Sequence, residues 1–146
     1  MIKIIIISTA IILFVVTIKL IVSKIESSRI IAKQTRFKNR ESILVEDIYE
    51  KYFSNFDLNK RSFIENWRKA ASLLKLDPTL LRPDDGFEKE LSPVKGSMAS
   101  DETEELDFML IDYCKKKGIK RKDLNTPKTF GEFIIIVTEK RNDCIG

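Results

Sequence analysis

The chain has 146 residues, no His, two Cys and a formal charge of +4. Without imidazole, His-based zinc sites and His-containing catalytic triads are excluded, and Cys114 and Cys144 lack the spacing of a metal or redox pair. Residues 1–40 carry eight Lys or Arg against one Glu (+7), whereas residues 41–146 carry eighteen basic and twenty-one acidic side chains (−3), so the basic balance does not describe a nucleic-acid binder.

From Ile4 to Ile18 no residue is charged, and Leu20, Ile21 and Val22 extend the apolar run past a lone Lys19. As a helix this run reaches roughly 28 Å, close to the hydrocarbon thickness of a bilayer. Residues 1–22 are therefore expected to form one transmembrane anchor. No small-x-small cleavage pattern follows, which argues against a removable signal peptide. Lys19 can lay its stem along the apolar surface and reach the headgroups. Residues 23–40 read as a basic juxtamembrane stalk, with Lys24, Arg29, Lys33 and Arg36 expected at anionic lipid headgroups. The cation excess on this side places the C-terminal part in the cytoplasm, as a single-pass protein of the cell inner membrane.

Residues 41–141 are long enough for one small core, and 142–146 read as a tail containing Cys144. The periodicity predicts a helix over 41–53, with Ile43, Leu44, Ile48, Tyr49 and Tyr52 facing inward. After a turn at 55–60, Ser62 and Glu65 suggest a capping box, and Phe63, Trp67, Ala70, Ala71 and Leu74 recur at helical spacing. Pro83-Asp84-Asp85-Gly86 reads as a turn rather than a catalytic carboxylate pair. Phe87 and Leu91 point back to the core, and 92–100 is a Pro- and Gly-containing loop. A further helix is expected over 101–117. Its first turns are acidic, its stripe is Leu106, Met109, Leu110, Tyr113 and Cys114, and Gly118 supplies the C-cap. The basic cluster from Lys115 to Lys122 reads as a solvated helix end, or as a contact for a membrane surface or acidic partner. A last helix over about 127–139 buries Phe130, Phe133, Ile134 and Val137; the β-branched run 133–137 could also form a strand, but a lone short strand has nothing to pair with, so helix is expected. The fold class expected is thus all-α: a transmembrane helix followed by a small helical bundle.

The stretch Trp67–Asp77, followed by Leu81-Arg82-Pro83-Asp84-Asp85-Gly86-Phe87-Glu88-Lys89-Glu90-Leu91, resembles acyl carrier proteins. Their first helix leads to a loop reading hydrophobic-x-Pro-Asp-x-x-Phe-x-x-Asp-Leu, then to an acidic second helix. Residues 101–118 match that second helix, and Thr129-Phe130 with Phe133, Ile134 and Val137 match the final one. The resemblance covers about 62–139 and implies a carrier-like bundle whose acidic helix docks basic partner surfaces. Carrier proteins bear phosphopantetheine on the Ser of Asp-Ser-Leu, a motif this chain lacks; Thr103 stands nearest that position, and Ser97 and Ser100 are the candidate attachment sites.

The leading expectation is a non-catalytic interaction module at the cytoplasmic membrane face. Its partners are the bilayer and a protein with a basic surface, recognised by Glu102, Glu104 and Glu105. No metal, nucleic acid or cofactor is required, and no nucleophile–base set marks an enzyme. One alternative is a working acyl carrier with phosphopantetheine in lipid or fatty-acid chemistry. The other is a small bacterial immunity or defence accessory protein.

Overall fold

The computed structural model describes residues 2–92 and 101–140, with the side chains of 2–10, Glu26 and 101–103 left out of the description. Five α-helices follow in order: α1 (Ile2–Phe37), α2 (Val45–Ile48), α3 (Lys60–Leu73), α4 (Asp101–Lys117) and α5 (Phe130–Val137). A π-helical turn, Tyr49–Phe53, extends α2, and a 3-10 turn, Arg121–Asp123, follows α4. Among the described residues the only β pairings are isolated bridges, Leu58 with Lys140 and Gly86 with Thr129, so the all-α class holds.

α1 has 36 residues, about 54 Å of helix, uninterrupted by Gly or Pro. Among the described residues no helix is long and apolar enough to cross a membrane. The expected span, 1–22, begins with ten residues whose side chains lie outside those described. The stalk expected over 23–40 is not separate from the bundle. Phe37 is buried in the core, and Lys33 lies buried against α3.

α3 is the central element and packs against α2, α4 and α5. Phe63, Trp67, Ala70, Ala71 and Leu74 are all fully buried, as their spacing predicts. Ring contacts join the elements: Trp67 meets Phe130 of α5 edge-on at 4.7 Å between centroids, and Phe63 meets Tyr49 at 5.1 Å and Phe53 at 4.8 Å. The Trp67 indole N–H donates to the Pro78 carbonyl, 3.0 Å away. Leu106, Met109, Leu110 and Cys114 close the bundle from α4.

Three local expectations are corrected. The helix predicted from residue 41 begins at Val45, because Ile43 N–H donates to Thr79 O and Arg82 donates to Glu41 O, which draws 41–44 onto the loop. Leu44, the extended residue before α2, is exposed, and the π turn places Phe53, five residues after Ile48, in the core and leaves Tyr52 exposed. α3 is capped by Asn59, whose side chain accepts from Ser62 N–H at 3.0 Å; Ser62 itself is inside the helix.

Helix ends explain two special backbones. Gly118 sits at φ +67°, with Gly118 N–H donating to Lys115 O and Ile119 N–H to Cys114 O, the expected C-cap of α4. The same pattern ends α3, but there Lys75 takes the left-handed position at φ 55°, with N–H bonds from Lys75 to Ser72 O and from Leu76 to Ala71 O. A Cβ in that region is strained. Lys75→Gly is expected to stabilise the fold by about 1 kcal/mol, measured by urea denaturation of the full chain followed through Trp67 fluorescence. By contrast, a Cβ on Gly131 would stand 2.8 Å from Pro83 O, so Gly131→Ala should destabilise by roughly 1–3 kcal/mol in the same assay.

Candidate functional site

Two surfaces carry the chemistry of this chain: the junction where α1 meets the bundle, and the outer face of α4. At the junction, cationic side chains from the end of α1 reach loop carbonyls. Lys33 Nζ donates to Leu74 O at 3.2 Å, at the C-terminal end of α3, where a cation suits the helix dipole and an unsatisfied carbonyl needs a donor. Gln34 donates to Lys75 O at 3.1 Å, and Arg36 to Ser92 O at 2.9 Å. Arg40 donates to Leu80 O and pairs with Asp85 at 2.7 Å.

Asp85 is only 2% exposed and forms the hub of this junction. Its carboxylate also accepts Arg82 N–H at 2.7 Å, and its carbonyl accepts Phe130 N–H at 2.9 Å, at the start of α5. The Pro83 carbonyl accepts the next amide, Gly131 N–H, at 2.8 Å. The Pro83–Asp85 turn thus satisfies the first two free donors of α5. Burial pushes the Asp85 carboxyl above its ordinary value of 3.8, against the pull of Arg82 N–H and of Arg40. The Pro-Asp-Asp-Gly segment is accordingly a turn with a structural carboxylate.

On α4, Glu104 and Glu105 are exposed, while the side chain of Glu102 lies outside the described residues. Between the acids and the basic end of the helix stands Phe108, 65% exposed, with Ile111 half-buried one turn on. Sequence reading passed over Phe108 because it falls outside the buried stripe. Its signal is that same displacement: an aromatic residue one turn beyond Glu104 and Glu105, on the polar face. Asp107 is engaged by Arg121, whose guanidinium donates to it at 3.2 and 3.3 Å. Behind this pair lies an apolar pocket of about 190 Å³, lined by Leu106, Leu110, Phe87, Phe133 and Pro127.

The remaining expected residues separate into three groups. Ser97 and Ser100 lie outside the described residues. Lys24 is exposed and Arg29 half-buried, both on α1. Lys33 was expected at lipid headgroups; at 4% exposure, with its ammonium turned onto Leu74 O, it faces the bundle instead. Arg36 stays exposed but is bonded to Ser92. No group of three or more His, Cys, Asp or Glu that could hold a metal ion occurs among the described residues. No family model matches the chain, and neither a curated protein nor a solved structure matches it.

Asp85→Ala would take the carboxylate from Arg82 N–H and from the half-buried Arg40 cation, which would keep its bond to Leu80 O, and should cost about 3 kcal/mol of stability near neutral pH. Because the folded state holds the Asp85 proton more tightly than the unfolded chain, this group's contribution is greatest below its ordinary pKa of 3.8. It declines as pH rises through the elevated folded value. Asp85→Asn, which does not ionise, should remove that decline from a stability-against-pH profile.

Proposed function

We propose that the chain is a membrane-anchored, non-catalytic interaction module of acyl-carrier-like build, with its bundle at the cytoplasmic face. The observation that carries the reading is the bare apolar surface of α1. Ile11, Ile12, Leu13, Phe14, Val15, Val16, Ile18, Leu20, Ile21 and Val22 are each 44–67% exposed, on every side of the helix. A water-soluble monomer rarely leaves so large a contiguous apolar surface open. Sequence from Ile4 continues the same composition, and the full run to Val22 has the length of a hydrocarbon core. Thr17 supports the same environment: its hydroxyl donates to Leu13 O at 2.7 Å, so it presents no unsatisfied donor to lipid. The excess of Lys and Arg after Val22 favours retention of the bundle on the cytoplasmic side, whatever those cations bond to.

The carrier-like part of the reading rests on element order. A helix, a long loop bearing the Pro-Asp-Asp-Gly turn, an acidic helix, a short 3-10 turn and a final helix follow one another. Glu104 and Glu105 supply the acidic face that the resemblance implies, and Phe108 adds an exposed aromatic ring beside it. Tethering would raise its effective concentration near partners in the same plane.

A working acyl carrier is the second reading, favoured by the apolar pocket beside α4, which could shelter part of an alkyl chain from water. Intact mass after coexpression with a phosphopantetheinyl transferase separates the two readings: an added phosphopantetheine selects the carrier, an unmodified chain the interaction module.

The anchor is tested by fractionation. Full-length chain should stay with membranes through an alkaline carbonate wash, float with lipid on a density gradient, and lose no C-terminal epitope to protease added outside sealed cells. Release by the wash, or digestion of the epitope, contradicts the proposal.

A further inference from the structure

Phe108 is the most exposed large hydrophobic side chain among the described residues outside α1. Glu104, Glu105, Phe108, Ile111, Asp112 and Lys115 fall on one stripe of α4, since residues three, four and seven apart share a helix face. The stripe lies opposite the buried one formed by Leu106, Met109, Leu110 and Cys114. Its charge is graded: acidic side chains lead at the N-terminal end, and the helix closes on Lys115, Lys116 and Lys117.

That gradient has a symmetry. Glu104 and Lys115 lie equally far on either side of the point between Met109 and Leu110, and so do Phe108 and Ile111. A face with this arrangement is complementary to its own copy turned end for end. A two-fold axis passing between two such helices at the level of that point would set Glu104 of each copy opposite Lys115 of the other, and Phe108 opposite Ile111. The aromatic ring would leave water at the centre of the seam, with ion pairs at both ends, the usual placement of a binding hot spot and its rim.

We propose that this stripe is an interface with a second copy of the chain, docked antiparallel along α4. The proposal rests on the reading of α4 as a recognition surface and names its basic partner: the Lys-rich end of the same helix in the other copy. One helix per copy buries little area for a permanent dimer. Confinement of both copies to one bilayer raises their effective concentration, so association belongs to the membrane-bound protein. The pairing is electrostatically steered and therefore salt-sensitive.

The test uses the full chain with donor or acceptor dye at its C-terminus, reconstituted in phosphatidylcholine vesicles at a fixed protein-to-lipid ratio. Energy transfer should be present in the native chain and fall several-fold in Glu104→Lys, in Lys115→Glu and in Phe108→Ser. It should return in the double variant carrying both Glu104→Lys and Lys115→Glu, because swapping the charges restores the pairing. Circular dichroism and Trp67 fluorescence confirm that each variant is folded. Transfer absent in the native chain overturns the proposal, as does transfer unchanged by all three single variants or unrestored by the double swap. If the native chain is monomeric yet retains a different basic protein that Glu104→Lys releases, the second-copy proposal fails while the recognition reading stands. If Glu104→Lys and Phe108→Ser alter neither energy transfer nor any retained protein, both fail.

Discussion

A buried carboxylate holds this molecule's parts in one arrangement. Asp85 is removed from water, so its charge requires donors, and these come from separate places: Arg82 N–H inside the loop and the Arg40 guanidinium just beyond α1. The peptide of the same residue then accepts the first amide of α5. The donors counter part of that desolvation only when the foot of α1, the loop and the last helix are assembled together. Such a group contributes modest net stability and a large penalty for partial assembly, and it specifies one geometry. Gly131 extends the constraint, because the α5 backbone approaches Pro83 too closely for any side chain.

The two ends of α1 obey different physics. Its last turns are part of the bundle, with Phe37 in the core and Lys33, Gln34 and Arg36 donating to backbone carbonyls of residues 74–92. Its earlier turns present aliphatic side chains in all directions. Ser27, Ser28 and Thr35, like Thr17, return their hydroxyls to carbonyls four residues back, so the helix satisfies these four hydroxyls itself. One continuous element thus joins the bundle at one end and carries an exposed aliphatic surface at the other.

Much of the bundle was legible because its information is local. The Phe63–Leu74 stripe, the α4 stripe and Gly118 each follow from spacing within one helix or one turn, and the structure places them as expected. What escaped was set by residues far apart in the chain. Lys33 finds Leu74 across 41 positions, and nothing near Lys33 distinguishes it from the solvated cations around it. Residues 41–44 are pulled from helix by Thr79 and Arg82, not by their own propensities. Asn59 displaced Ser62 as cap because both are good cap residues, and tertiary packing started the helix one turn earlier. The α4 acids could be read as a docking face from composition, but Phe108 acquires meaning only when the opposite stripe is known to be buried.

The unbroken course of α1 has a mechanical consequence. No Gly, Pro or loop separates its greasy turns from the turns bonded to the bundle, so along this helix the bearing of the bundle is set by residue count. One amino acid added between Ser23 and Arg29 would swing everything after it by about 100° around the helix axis and lift it by about 1.5 Å. Four added together would return it to nearly its original bearing, one turn higher. Length in this segment is therefore a dial for which side of the bundle meets its neighbours.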